Sequence, residues 1–99
     1  MSRAGMAADL LRSLANENRL AILCQLYQGE RSVGELEKVV GISQSALSQH
    51  LAKLRSAGVV ATRREAQTIY YSLQDAGAER VIGVLYEHFC GPGRKTKGK

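Results

Sequence analysis

No stretch of this chain approaches the 18 or more consecutive apolar residues that a membrane span requires, so an integral membrane role is not expected. Met1-Ser2-Arg3-Ala4-Gly5 is not followed by a continuous apolar segment, so no secretory signal is expected and the chain is placed in the cytoplasm. Cysteine is scarce. Cys24 and Cys90 lie far apart, and in a reducing compartment they should not form a standing disulfide; they are either inert buried thiols or a reactive pair. Acidic residues are missing from one place in particular. From Ser43 through Arg64 the chain carries Lys53, Arg55, Arg63 and Arg64 and no Asp or Glu. There is no internal repeat.

Ninety-nine residues make one small domain with a thin core, which favours oligomerisation. The formal charge of +5 leans toward a polyanionic partner, but Arg94, Lys95, Lys97 and Lys99 crowd the last few positions. Without those four, ten basic residues face nine acidic ones, so the acid-free segment is more informative than the total. The division expected is a folded unit over 1–90 and a flexible basic tail over 91–99.

Helical periodicity dominates. Met6, Leu10, Leu11 and Leu14 mark a first helix, and Asn16 caps a second that carries Leu20, Leu23, Cys24 and Tyr27. Ser32 and Glu35 form a capping-box pattern ahead of a short helix with Leu36, Val39 and Val40 as its apolar face. Gly41 breaks it. Ser43 caps the next helix, with Ile42 and Leu47 placed as a hydrophobic staple and Leu47, Leu51 and Leu54 as a buried stripe. After Gly58 the period changes to two: Val60–Arg64 and Thr68–Leu73 read as strands joined by Glu65-Ala66-Gln67. A last helix runs from about Asp75 to Cys90 with Val81, Ile82, Val84, Leu85 and Phe89. The class is mainly α with a small β-hairpin: about five helices and a two-stranded wing, a winged helix-turn-helix.

At 100° per residue, Ser45, Ser48, Gln49, Ala52 and Lys53 lie opposite the leucine stripe. Small hydroxyls and an amide can exchange hydrogen bonds with base edges, and lysine suits phosphate. A merely solvated helix face would usually mix in acidic residues. Ser45, Ser48 and Gln49, with Gln44 nearby, are therefore the base-edge candidates. Lys53, Arg55, Arg63, Arg64 and Gln67 are the candidates for DNA-backbone or wing contact. His50 flanks the stripe and is read as a packing or phosphate anchor, and of Tyr70 and Tyr71 one should pack inward.

Ser43-Gln44-Ser45-Ala46-Leu47-Ser48-Gln49-His50-Leu51-Ala52-Lys53-Leu54 resembles the recognition helix of the ArsR/SmtB family of bacterial repressors. Leu14 through Leu23 and Gly58 through Leu73 resemble that family's second helix and wing, so the likeness covers roughly residues 5–90. It implies a homodimer built on the first and last helices, binding double-stranded DNA at an inverted-repeat operator and releasing it on sensing an inducer.

Two metal sites of the family can be compared position by position. The Cys-x-Cys pair of one is absent from Ser32-Val33-Gly34-Glu35-Leu36. The four ligands of the other fall on Asp75, Gly77, His88 and Gly91, of which only two can ligate, whereas zinc needs about four donors. No metal site and no cofactor is expected. Cys24 and Cys90 instead match the two-cysteine branch (BigR, SqrR and HlyU type), and the resemblance implies sensing of persulfide, polysulfide or oxidants by linking the two thiols. A metal-responsive repressor and a redox-responsive anti-repressor or activator of virulence genes are the alternatives. An enzyme with Cys90 as nucleophile and His88 as base would need a pocket and an oxyanion donor set that nothing in the sequence suggests.

Overall fold

The computed structural model describes residues 2–90. The basic tail expected over 91–99, and Gly91 of the metal comparison, lie outside them. Five helices and three strands follow in the order α1 (Arg3–Leu14), α2 (Glu17–Tyr27), β1 (Arg31–Ser32), α3 (Val33–Val40), α4 (Gln44–Ser56), β2 (Val60–Glu65), β3 (Thr68–Leu73) and α5 (Ala76–Cys90).

Side-chain caps set most of the helix starts. The Asn16 carboxamide oxygen accepts from the N–H groups of Asn18 and Arg19 at 3.0 and 3.1 Å. The capping box is complete: the Ser32 hydroxyl accepts from the Glu35 N–H at 3.1 Å, and the Glu35 carboxylate accepts from the Ser32 N–H at 2.8 Å. That backbone donor holds the Glu35 carboxyl below the usual range. Ser43 accepts from the Ala46 N–H, and Asp75 from the Ala78 N–H, so α5 begins just after its aspartate. Gly41 closes α3 at φ +76°, a left-handed turn that a side chain would strain.

The expected hairpin is present as β2 and β3, and β1 adds a short third strand to the sheet. Its order is β1-β3-β2, all antiparallel, with Arg31 opposite Tyr71 and Ser32 opposite Tyr70. Two residues are too few to show a period of two, and they sit immediately ahead of a helix cap, so β1 is invisible to pattern reading. β2 also runs one residue further than expected. Glu65 pairs with Thr68, leaving Ala66 and Gln67 as the loop, with Ala66 at φ +56°.

The core gathers Leu14, Ile22, Leu23, Leu26, Leu36, Leu47, Leu51, Leu54, Val59, Val60, Ala78 and Ile82. The three leucines of α4 are buried as the stripe predicts. Gly83 is buried beneath Tyr27, where a Cβ would come within 3.0 Å of the ring; its bare backbone lets α5 close on α2. Some residues of the expected apolar faces are not in it. Val39 is 56% exposed, because α3 is covered on the Leu36 side only. Val84 and Phe89 on α5, and Met6 and Leu11 on α1, are more than half exposed in the single chain. An amphipathic pattern marks an apolar face without saying what covers it.

This division predicts a contrast within one helix. Leu36→Ala should cost about 2–5 kcal/mol by leaving a cavity, whereas Val39→Ala should stay within about 0.5 kcal/mol. Denaturant midpoints at constant slope measure both. Equal losses would show that Val39 is packed.

Candidate nucleic-acid interface and thiol pair

Burying Leu47, Leu51 and Leu54 turns the opposite side of α4 outward. Ser45, Ser48, Gln49, Ala52 and Lys53 are exposed there, and Gln44 and Arg55 are exposed along its flank. Gly41, Ile42 and Ser43 form the tight connection from α3, and Ile42 packs on the core cluster that contains Leu47. The helix-turn-helix therefore presents hydroxyls, carboxamides and two cations along the exposed side of α4. Among the described residues, α4 itself contributes no acidic side chain to it.

The wing is less simple. Arg63, Arg64 and Gln67 are exposed at the hairpin end, as expected. Arg63, however, is already engaged. Its Nε and Nη2 donate to the two carboxylate oxygens of Glu30 at 2.7 and 2.8 Å, and Nη1 donates to Glu65 at 2.9 Å. The guanidinium also stacks 4.5 Å above the Tyr70 ring. The hydrogen bonds to Arg63 hold the Glu30 carboxyl below its usual range, and those to Glu30 and Glu65 raise the arginine further above its own. Arg63 thus clamps the wing to the turn between α2 and β1, and two carboxylates surround its charge. Among the described residues, Arg64 takes part in no such cluster. Tyr71 packs on the core while Tyr70 lies under Arg63, which fits the expected alternation.

Glu30 was not foreseen as part of this surface. It is 33 residues from Arg63 in sequence, and the pairing of β1 with β3 delivers it there. His50 is half buried, and its Nδ1 accepts from Nε of Arg19 at 3.2 Å. Burial, then the charges of Arg19 and Lys53, push the His50 pKa below the usual imidazole value.

The two cysteines sit on helices that pack together. Cys24 is half buried on α2 against the core, Cys90 is exposed at the end of α5, and both thiols are free. Burial, and the nearby charge that Cys90 would carry, raise the Cys24 thiol above its usual pKa. The fold therefore brings the pair within electrostatic reach. Tyr27 and Tyr86, with ring centres 5.3 Å apart, pack between the same two helices. Asp75 and His88 lie at opposite ends of α5, Asp75 capping its start, and no metal-binding group of three His, Cys, Asp or Glu occurs among the described residues. None of their helices is long and apolar enough to cross a membrane.

Comparison with known proteins bears on this geometry. Residues 16–62 match the family described as bacterial regulatory protein, arsR family. The chain is 51% identical over 84 residues to the transcriptional activator HlyU of Vibrio cholerae, covering 85% of this chain and 78% of that protein. It is 52% identical over 90 residues to the biofilm growth-associated repressor of Agrobacterium fabrum, covering 91% and 77% respectively. The solved structure of HlyU from Vibrio cholerae superposes with a TM-score of 0.86 at 48% identity, covering 91% of this chain and 99% of that one.

The carboxylates around Arg63 give a testable consequence. Glu30→Gln removes one negative charge beside the wing and loosens the hold on Arg63, leaving Glu65 as its one carboxylate partner among the described residues. Affinity for duplex DNA of any sequence should rise, and the slope of log affinity against log salt should steepen by about one. Titration at several salt concentrations measures it. An unchanged slope would show that Arg63 stays out of reach of phosphate even when released.

Proposed function

The chain belongs to the arsR family of bacterial regulatory proteins, as a DNA-binding transcriptional regulator and not an enzyme, and on that premise we propose that it is a homodimeric repressor released from its operator when reactive sulfur links Cys24 to Cys90. The observation that carries the inducer is two free thiols on helices that pack together, Cys24 half buried on α2 and Cys90 exposed at the end of α5. The exposed Met6 and Leu11 of α1 and Val84 and Phe89 of α5 support a dimer on those helices. Two α4 helices about 34 Å apart would then enter successive major grooves of an inverted repeat.

In this reading Ser45, Ser48 and Gln49 meet base edges, with Gln44 beside them at the helix N-terminus. Lys53, Arg55 and Arg64 meet phosphate, while Gln67 and, once released from its carboxylates, Arg63 serve the wing. Gln49→Ala should cost about 1–3 kcal/mol at the preferred site and relax base preference there. Selection from random duplex pools by wild type and variant makes the comparison, and identical preferences would remove Gln49 from the base-reading set.

Exposure makes Cys90 the entry point. Its thiolate attacks the central sulfur of an organic trisulfide RS–S–SR and expels one RS⁻. The Cys24 thiolate then attacks the same sulfur and expels the second RS⁻, leaving Cys90–S–S–S–Cys24. Two thiol protons go to solvent, and the two electrons removed from the thiols leave with the two RS⁻ groups. Because the Cys24 pKa is raised, its thiolate fraction is small at neutral pH and grows as pH rises toward that value. Closure should therefore quicken with pH through the alkaline range.

The bridge should weaken operator binding by about 5- to 150-fold. Cys24→Ser and Cys90→Ser should bind like wild type and stay bound when polysulfide is added, with intact mass reporting the inserted sulfur. Release of either variant as readily as wild type would end the two-thiol reading. The sign of regulation has a second reading, since one relative is named an activator and another a repressor. An activator that displaces another protein would bind the same DNA while raising transcription, and a reporter with and without the chain separates the two.

A further inference from the structure

We propose that Arg19 is a positioning residue for the recognition helix: by holding Nδ1 of His50 it fixes the rotation of α4 and the tautomer of its histidine. The inference rests on the DNA-reading role of α4 given above.

The geometry is specific. The Asn16 cap accepts from the Arg19 N–H, which pins the backbone of that residue at the first turn of α2. The guanidinium then spans three elements. Nη1 donates to the Ser13 carbonyl in the last turn of α1 at 3.3 Å, while Nε donates to His50 Nδ1 at 3.2 Å. Among the described residues, no other side-chain hydrogen bond joins α4 to a different element. The rest of the seat of α4 is the leucine stripe, and apolar burial is not directional. A leucine stripe holds the helix on its seat but offers no hydrogen bond to fix the aim of the opposite face. A base-reading side chain depends on that aim, because such sites need positions held to about 0.5 Å and 10–20°. His50 follows Gln49 directly, so the contact acts at the turn where the polar face must be aimed.

The chemistry sets the protonation state. Arg19 is a donor at every nitrogen, so His50 Nδ1 must carry the lone pair and the proton must sit on Nε2. A second proton would place an N–H against the guanidinium. Burial opposes the imidazolium most, and the charges of Arg19 from α2 and Lys53 from α4 oppose it further. The folded histidine therefore titrates below its unfolded value. The contact is fully present above the ordinary histidine range, near pH 6.5, and is lost as pH falls through the lowered pKa.

The test uses the full-length protein and the duplex it enriches from a random-sequence pool, with a scrambled duplex as reference. Failure of wild type to enrich any sequence would overturn the DNA-reading role itself, and this inference with it. Given an enriched site, Arg19→Met keeps the aliphatic stem and removes the donors; preference for the site over scrambled DNA should fall about tenfold, with the salt slope unchanged. His50→Asn places an acceptor where Nδ1 was and should retain the preference, whereas His50→Gln places its amide at the Nε2 position and should lose it. Preference in wild type should hold above the histidine range and decline below it, and His50→Asn should remove that decline. If Arg19→Met does not fold, the Asn and Gln variants and the wild-type pH profile decide the question. Retention in His50→Gln with loss in His50→Asn, or a full preference in folded Arg19→Met, would overturn the proposal.

Discussion

The structure hangs on the burial of one side of α2. Ile22, Leu23 and Leu26 are almost fully withdrawn from water, and α2 packs on α5, β3 and α3 through them. Each such side chain contributes about 1.5–3 kcal/mol when buried, and a chain of this size has few to spare. The other contacts of α2 follow from this seating. Tyr27 reaches α5 only because Gly83 has no side chain, Cys24 lies on the half-buried edge of the same stripe, and Arg19 leaves the first turn toward α4. One helix thus touches the thiol pair, the helix expected to hold the dimer and the reading head.

Electrostatics divides the DNA-facing surface into two unequal parts. α4 offers cations and neutral hydrogen-bonding groups without an acid of its own, so its field is available to phosphate at long range. The wing carries arginines, but Glu30 and Glu65 take up the charge of Arg63. The clamp orients the hairpin against the β1 turn, and as an exposed cluster it is weakened by salt. A basic residue in a wing is therefore not automatically a phosphate ligand. Its carboxylate neighbours have to be known first.

What could be read from the sequence was local. The Ser32–Glu35 box, the Ser43 cap and the Leu47, Leu51 and Leu54 stripe each lie within a few residues, so spacing alone places α3 and α4 and hence the polar face. The parts that escaped depend on distance along the chain. Glu30 meets Arg63 across 33 residues and Arg19 meets His50 across 31, and neither pair leaves a periodic trace. β1 escaped because a strand of two residues is defined by its partner and not by its own sequence. Val39 and Phe89 show the same limit from the other direction: apolar spacing marks a face, and only the fold shows whether anything in the chain covers it.

The position of Cys24 relative to Arg19 gives the proposed switch a physical route. They are five residues apart on α2, about 7.5 Å along the axis. In the proposed switch, a sulfur bridge to Cys90 would pull on the half-buried edge of α2 from the end of α5, and Tyr27 over Gly83 would resist closer approach of the two helices. The packed core does not deform smoothly, so strain at Cys24 moves α2 as a unit or rotates it about its axis. Either movement carries the Arg19 guanidinium with it, because the Asn16 cap ties that residue to the start of the helix. The hydrogen bond to His50 tolerates only a few tenths of an ångström beyond its 3.2 Å before it is lost. Under the proposed switch, a small displacement at the thiols would be enough to release the one side-chain hydrogen bond that, among the described residues, ties α4 to another element, while leaving the leucine stripe buried. The regulator would lose its aim before it lost its fold.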